Sequence, residues 1–281
     1  MTIRPRRLLI VGALVGPALL VFGCSLNLPR EAMARATKQS LSLDGRAKLP
    51  SGIHFLTTGK SKATATVFFV HGTPGDLNNW GLFTADPDLQ RQARLVAIDR
   101  LGFGKSWPDR PEPDLSKQAI ACAEVAVRFP GRRIWVGHSY GGPVIAQVAQ
   151  DYPELVDGLI LVASPADPSV SQPRWYHRLA DTGLGKAVIS DQLHFANEEM
   201  LTLSHQLEAL RPLWSDFRKP ISLVHAQNDV LADWQNALFV KKERGPAPLR
   251  FLDMEQRNHF LIWNSVPEIL TEIRWHLQQK P

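Results

Sequence analysis

The chain has 281 residues, 44% of them apolar and 21% charged, which excludes a disordered polymer and leaves one large globular domain or at most two. It has a single long uncharged run, which excludes a multi-span membrane protein, and its two cysteines cannot build a disulfide scaffold. The net charge of +5 and the isoelectric point near 9.4 raise a polyanionic partner such as nucleic acid or an anionic membrane surface.

The N-terminal segment accounts for most of that charge. Arg4, Arg6 and Arg7 precede residues 8–29, which contain no charged residue. A basic start followed by an apolar stretch is the layout of an export leader. The run Val21-Phe22-Gly23-Cys24-Ser25 resembles a bacterial lipobox, in which cleavage before the cysteine frees Cys24 for lipidation. Three readings stay open: a lipid-anchored protein cut before Cys24, an uncleaved anchor, and a cleaved soluble protein. Each puts the protein outside the cytoplasm or at its membrane. Removing residues 1–23 leaves 29 Lys and Arg against 27 Asp and Glu, so the remaining chain is nearly neutral and a nucleic-acid partner loses its support. Residues 24–51 are read as a tether and 52–281 as the folded domain.

Along that domain, short β-type runs alternate with helical patterns. Strands are expected at 53–57, 64–70, 95–98, 133–136, 159–162, 221–224 and 249–252, where β-branched and apolar residues cluster. Helices are expected at 115–129, ended by Pro130-Gly131, at 142–152 with Pro143 in its first turn, and at 267–279. Residues 168–218 contain helix-like stretches and no strand run, and are read as an inserted helical cap. Alternating strands and helices imply an α/β architecture, a mostly parallel sheet with helices on both faces. Cys122 falls in an apolar helical stretch and is expected to be buried.

The sharpest motif is Gly137-His138-Ser139-Tyr140-Gly141-Gly142, which joins an expected strand directly to an expected helix. That context turns a common Gly-x-Ser-x-Gly pattern into a nucleophile elbow, with Ser139 on a tight strained turn. A serine nucleophile needs a base and donors for an oxyanion. Val70-His71-Gly72-Thr73-Pro74-Gly75 follows another strand, so the backbone N–H groups of Thr73 and Tyr140 are the expected oxyanion donors. His71 precedes the nucleophile and is read as structural. Among nine histidines, His259 lies in a short loop between the last strand and the final helix and is the expected base. Asp229, just beyond a strand end, is the expected orienting acid, and Asp233, expected to cap the next helix, is the alternative.

The order Ser139, Asp229, His259, with the loops at 71–75 and 137–142 and the segment Asp99-Arg100-Leu101-Gly102-Phe103-Gly104-Lys105-Ser106, resembles the α/β-hydrolase superfamily over roughly residues 52–280. The resemblance implies that Asp99 and Ser106 order their loop and are not catalytic. A serine in place of the aspartate that dehalogenases and epoxide hydrolases carry at the elbow favours acyl chemistry. The expected activity is hydrolysis of a small carboxylic ester or related acyl compound through a Ser–His–Asp triad, without metal or cofactor. C–C bond hydrolysis or haloperoxidase-type chemistry on the same triad, and a non-catalytic binding protein, are the competing expectations. Trp80, Trp107 and Trp175 are candidates for an acyl pocket or for ordinary packing. Oligomeric state is not legible.

Overall fold

The computed structural model describes residues 47–107 and 109–279. Among the described residues, eight strands form one sheet: β1 (Ala47–Lys48), β2 (His54–Gly59), β3 (Ala65–Val70), β4 (Arg94–Asp99), β5 (Arg132–His138), β6 (Gly158–Val162), β7 (Ile221–His225) and β8 (Leu249–Asp253). Their order is β1-β2-β4-β3-β5-β6-β7-β8. Strands β1 and β2 pair antiparallel with their neighbours, and the remaining strands are parallel. The sheet therefore reaches back to Ala47, five residues before the position where the sequence pattern starts the domain. The seven expected strands all form, with ends displaced by a residue or two.

The central strands are buried on both faces, and successive side chains alternate between two cores. On β3, Phe68 and Val70 join one core with Trp135 of β5, Leu159 and Leu161 of β6, and helices α2 (Leu115–Ala126) and α3 (Gly141–Asp151). Val67 and Phe69 join the other with Trp80, Phe83, Ile160 and the C-terminal helix. A short helix, α1 (Pro87–Gln92), leads into β4. Helix α2 starts on Asp114, whose carboxylate accepts from the N–H groups of Ser116 and Lys117. It ends at Ala126 rather than at 129, because the chain turns three residues ahead of Pro130. Cys122 is fully buried in this layer, and burial pushes its thiol up to about 12.

Between β6 and β7 the chain is helical: α4 (Trp175–Ala180), a single turn at Gly183–Lys186, and the 26-residue α5 (Asp191–Asp216), which Ser190 caps. Helix α5 lies over the carboxyl edge of the sheet, where its Gln206 accepts from the Leu115 N–H and donates to the Pro113 carbonyl. Helices α6 (Gln235–Glu243) and α7 (Val266–Gln278) complete the domain. Among the described residues no helix is long and apolar enough to cross a membrane.

At the opposite, amino edge, α7 is fastened by a buried polar group. The Ser222 hydroxyl donates to Glu272 at 2.8 Å and lies 3.0 Å from His276 Nε2. Arg250 holds the same carboxylate through Nε and Nη2 at 2.7 and 2.9 Å. Burial, with the charges of Arg132 and Arg250, lowers His276 to about 3, so this histidine is neutral.

Candidate active site

Four loops leave the carboxyl ends of parallel strands and converge. The first follows β5. Ser139 sits between β5 and α3 with φ of +51°, a left-handed conformation that costs a non-glycine residue ~1–3 kcal/mol. The surroundings impose it: the Ser139 N–H donates to the Val162 carbonyl at 2.9 Å, and its carbonyl accepts from Gly142 at 2.9 Å. Strand and helix pass so closely that a Cβ on Gly137 would lie 2.5 Å from the Gly141 carbonyl oxygen, which explains the glycine at that position. Ser139 is partly exposed, while His138 and Tyr140 on either side are buried. Tyr140 caps α3, so its N–H belongs to a first turn whose N–H groups have no partner within the helix.

The second and third loops follow β7 and β8. Asp229 and His259 are both buried, and His259 Nδ1–H donates to Asp229 Oδ2 at 2.8 Å. The other carboxylate oxygen accepts from the N–H groups of Leu231 and Ala232 at 2.9 and 2.8 Å. Burial acts to raise the Asp229 carboxyl. The charge and hydrogen bond of His259, the charge of His225 and the Ala232 N–H outweigh it and hold the carboxyl below its usual range. Asp229 is thus a fixed anion that sets the His259 tautomer and leaves Nε2 as the basic nitrogen. His225 lies beside it, 3.7 Å from Oδ2, but its Nε2–H is committed to the Ala232 carbonyl. Asp233 accepts from the Gln235 N–H, a local turn contact.

His259 is also tied to the elbow. His138 Nε2–H donates to the His259 carbonyl at 3.0 Å, and the two rings lie 5.0 Å apart. Burial, then the His259 charge, lowers His138 to about 3, so it serves as a neutral strut under the serine.

The fourth loop follows β3. A Cβ on Gly72 would lie 2.8 Å from the Ser139 Cβ, so this loop touches Ser139 with its bare backbone, and Thr73 is the next residue. His71 is structural, as its position implied. Its Nε2 accepts from the Arg100 N–H at 3.0 Å and its Nδ1–H donates to the Gly72 carbonyl at 2.7 Å. Burial, then the Arg100 charge, lowers it to about 3. Asp99 and Ser106 close their own loop: Asp99 accepts from the Leu77 and Lys105 N–H groups, and Ser106 Oγ donates to the Asp99 carbonyl.

Sequence reasoning missed Arg100 and Glu199. Arg100 is fully buried, and its Nε and Nη2 donate to the His71 and Gly72 carbonyls at 2.9 and 3.1 Å. The same guanidinium grips both oxygens of Glu199 on α5, also fully buried, and lies 4.8 Å from the ring centres of Phe103 and Tyr140. Burial raises the Glu199 carboxyl above its usual range, and the charge and hydrogen bonds of Arg100 offset that only in part. The pair ties the loop beside Ser139 to the overlying helix. Of the three tryptophans considered for an acyl pocket, Trp80 is fully buried against Phe69 and Phe83, and Trp175 is 68% exposed.

A doubly covered, mostly parallel sheet that carries a strained serine between a strand and a helix defines the architecture of the α/β hydrolases. A family model described as the alpha/beta hydrolase fold matches residues 65–211, and the chain belongs to that family. Among curated proteins it is 38% identical over 114 residues to the dihydrolipoyllysine-residue acetyltransferase component of an acetoin cleaving system from Cupriavidus necator, covering 40% of this chain and 30% of that protein. It is 38% identical over 93 residues to a pimeloyl-[acyl-carrier protein] methyl ester esterase from Edwardsiella ictaluri, covering 31% of this chain and 34% of the other. The matched region thus spans about a third of each curated relative. A thermophilic esterase from Thermogutta terrifontis superposes with a TM-score of 0.65 at 17% identity, over 84% of this chain and 98% of that one, a likeness of fold.

Proposed function

We propose that the protein is a serine hydrolase that cleaves carboxylic esters through an acyl-enzyme. The observation that carries this reading is the buried His259–Asp229 pair, 2.8 Å between Nδ1 and Oδ2, tied through His138 to the turn that holds a strained, partly exposed Ser139. His259 Nε2 takes the Ser139 proton as the hydroxyl attacks the ester carbonyl. The oxyanion that forms accepts from the N–H groups of Thr73 and Tyr140. Collapse expels the alcohol, which takes the proton back from His259. Water, activated by the same nitrogen, then releases the acid and restores the serine. The esterase among the curated relatives supports an ester as substrate. A fluorophosphonate is expected to label Ser139, and Ser139→Ala to abolish hydrolysis of short p-nitrophenyl esters. Esterase activity retained in pure Ser139→Ala protein sinks the mechanism.

We propose in addition that residues 1–23 export the chain, that Cys24 is lipidated, and that the domain is held at a membrane. The basic, then uncharged N-terminal sequence supports this. Inhibition of lipoprotein signal peptidase is expected to accumulate the uncut precursor. Unchanged processing with no lipid on Cys24 refutes the lipid anchor.

A further inference from the structure

Eight large apolar side chains stand exposed among the described residues, and five of them fall within 19 residues: Trp175, Leu179, Leu184, Val188 and Leu193. Trp175 and Leu184 are the most exposed of all eight, at 68% and 73%. Soluble surfaces carry such residues singly, and a cluster marks an interaction face. The cluster spans α4, the turn at Gly183–Lys186 and the first turn of α5. These helices are held over the candidate site: Arg100 grips Glu199, and Asn197 Nδ2 donates to the His177 carbonyl.

We infer that this face rests on a lipid bilayer, so that the site draws its acyl substrate from the membrane. Two further observations select lipid over other occupants. The N-terminal sequence carries the lipid anchor proposed at Cys24, which holds the chain at a membrane surface ahead of the fold. The chain then joins the sheet at the same edge as the cluster: Lys48 pairs with His54, and His54 pairs with Asp99, the last residue of β4. Twenty-two residues, 25–46, link Cys24 to that edge. Arg174 and Arg178 flank Trp175 and Leu179, as suits anionic headgroups beside an apolar contact.

The docking stands apart from the ester-hydrolase reading, and only the choice of substrate rests on it. The test uses the full chain in phosphatidylcholine–phosphatidylglycerol vesicles whose acyl chains carry bromine. Bromine is expected to quench a larger share of tryptophan emission in the wild type than in Trp175→Phe, and Leu184→Asp is expected to erase that difference. Equal quenching in wild type and Trp175→Phe overturns the proposal. So does a concentration-dependent dimer lost in Leu184→Asp, since a second copy then covers the face. In the second arm, Leu184→Asp is expected to slow turnover of a vesicle-borne long-chain ester at least about tenfold while leaving a soluble short ester unchanged. Equal loss on both substrates overturns membrane delivery. Absence of all esterase activity in the wild type counts against the hydrolase reading alone, because the quenching is measured without turnover.

Discussion

Glu199→Gln isolates the buried pair over the site. The substitution keeps the side chain's shape and removes its charge, leaving the Arg100 guanidinium fully buried with two backbone carbonyls and an amide oxygen for partners. Breaking one side of a buried ion pair costs ~3–5 kcal/mol, which is a large fraction of a typical domain's ~5–15 kcal/mol. Replacing both partners with apolar residues, Arg100→Met with Glu199→Leu, is expected to restore most of that stability, since neither charge then stays buried alone. Activity is expected to behave differently. The double variant still lacks the donors to the His71 and Gly72 carbonyls, so the loop beside Ser139 loses its anchor and kcat on a short ester falls ~10²-fold, as for the loss of one oxyanion donor. Urea unfolding gives the first quantity and steady-state kinetics the second. A Glu199→Gln protein as stable as wild type refutes the energetic argument. Full kcat in the double variant refutes the link from Arg100 to the loop.

Gly72→Ala forces a Cβ to 2.8 Å from the Ser139 Cβ and 3.2 Å from the His138 carbonyl oxygen, so the loop must shift. We expect kcat to fall by up to ~10²-fold with a near-normal Tm, the signature of misplacement and not of unfolding. Asp229→Asn removes the anion that fixes the His259 tautomer, and kcat is expected to drop on the order of 10⁴-fold while fluorophosphonate labelling slows in parallel. His71, His138 and His276 are each lowered to about 3 from 6.5, so the unfolded chain binds more protons between those values. Stability is therefore full above pH 6.5 and falls as pH drops toward 3, by about 1.4 kcal/mol per unit for each histidine. Urea midpoints at pH 5 and pH 7 check this, and equal midpoints contradict it. Cys122, buried and pushed up to about 12, is expected to react with a thiol reagent only as fast as the domain unfolds, measured in a Cys24→Ser background.

The parts of the fold that the sequence displays are those whose signals are local. Strands such as Ala65–Val70 are continuous apolar runs because both faces are covered, and Ser139 announces itself through glycines that a close strand–helix crossing requires. Asp229 and His259 are legible by position, since each follows a strand that must end at the same edge as β5. Arg100 and Glu199 are not. They lie 99 residues apart, and each sits in a segment with another evident reason to be polar: a glycine loop in one case and a largely polar helix in the other. The sequence pattern places the end of α2 three residues late, because it marks Pro130 and not the turn that precedes it. Among the tryptophans, composition could not separate the sealed Trp80 from the exposed Trp175, because exposure depends on which helices pack across the sheet.

Among the described residues, serine–histidine–carboxylate groupings lie at both edges of the sheet, the candidate site at the carboxyl edge and Ser222, His276 and Glu272 at the amino edge. In the one at the amino edge the proton runs the wrong way for catalysis. Ser222 gives its hydrogen directly to Glu272, which leaves His276, protonated on Nε2, as donor to the serine oxygen. That serine cannot be made a nucleophile by that histidine, and no water reaches any of the three. Proximity of the right residue types is thus an insufficient criterion for a hydrolytic centre. The direction of each hydrogen bond and a path to solvent separate the two groupings, and an active-site titration of this chain should count one reactive serine per molecule.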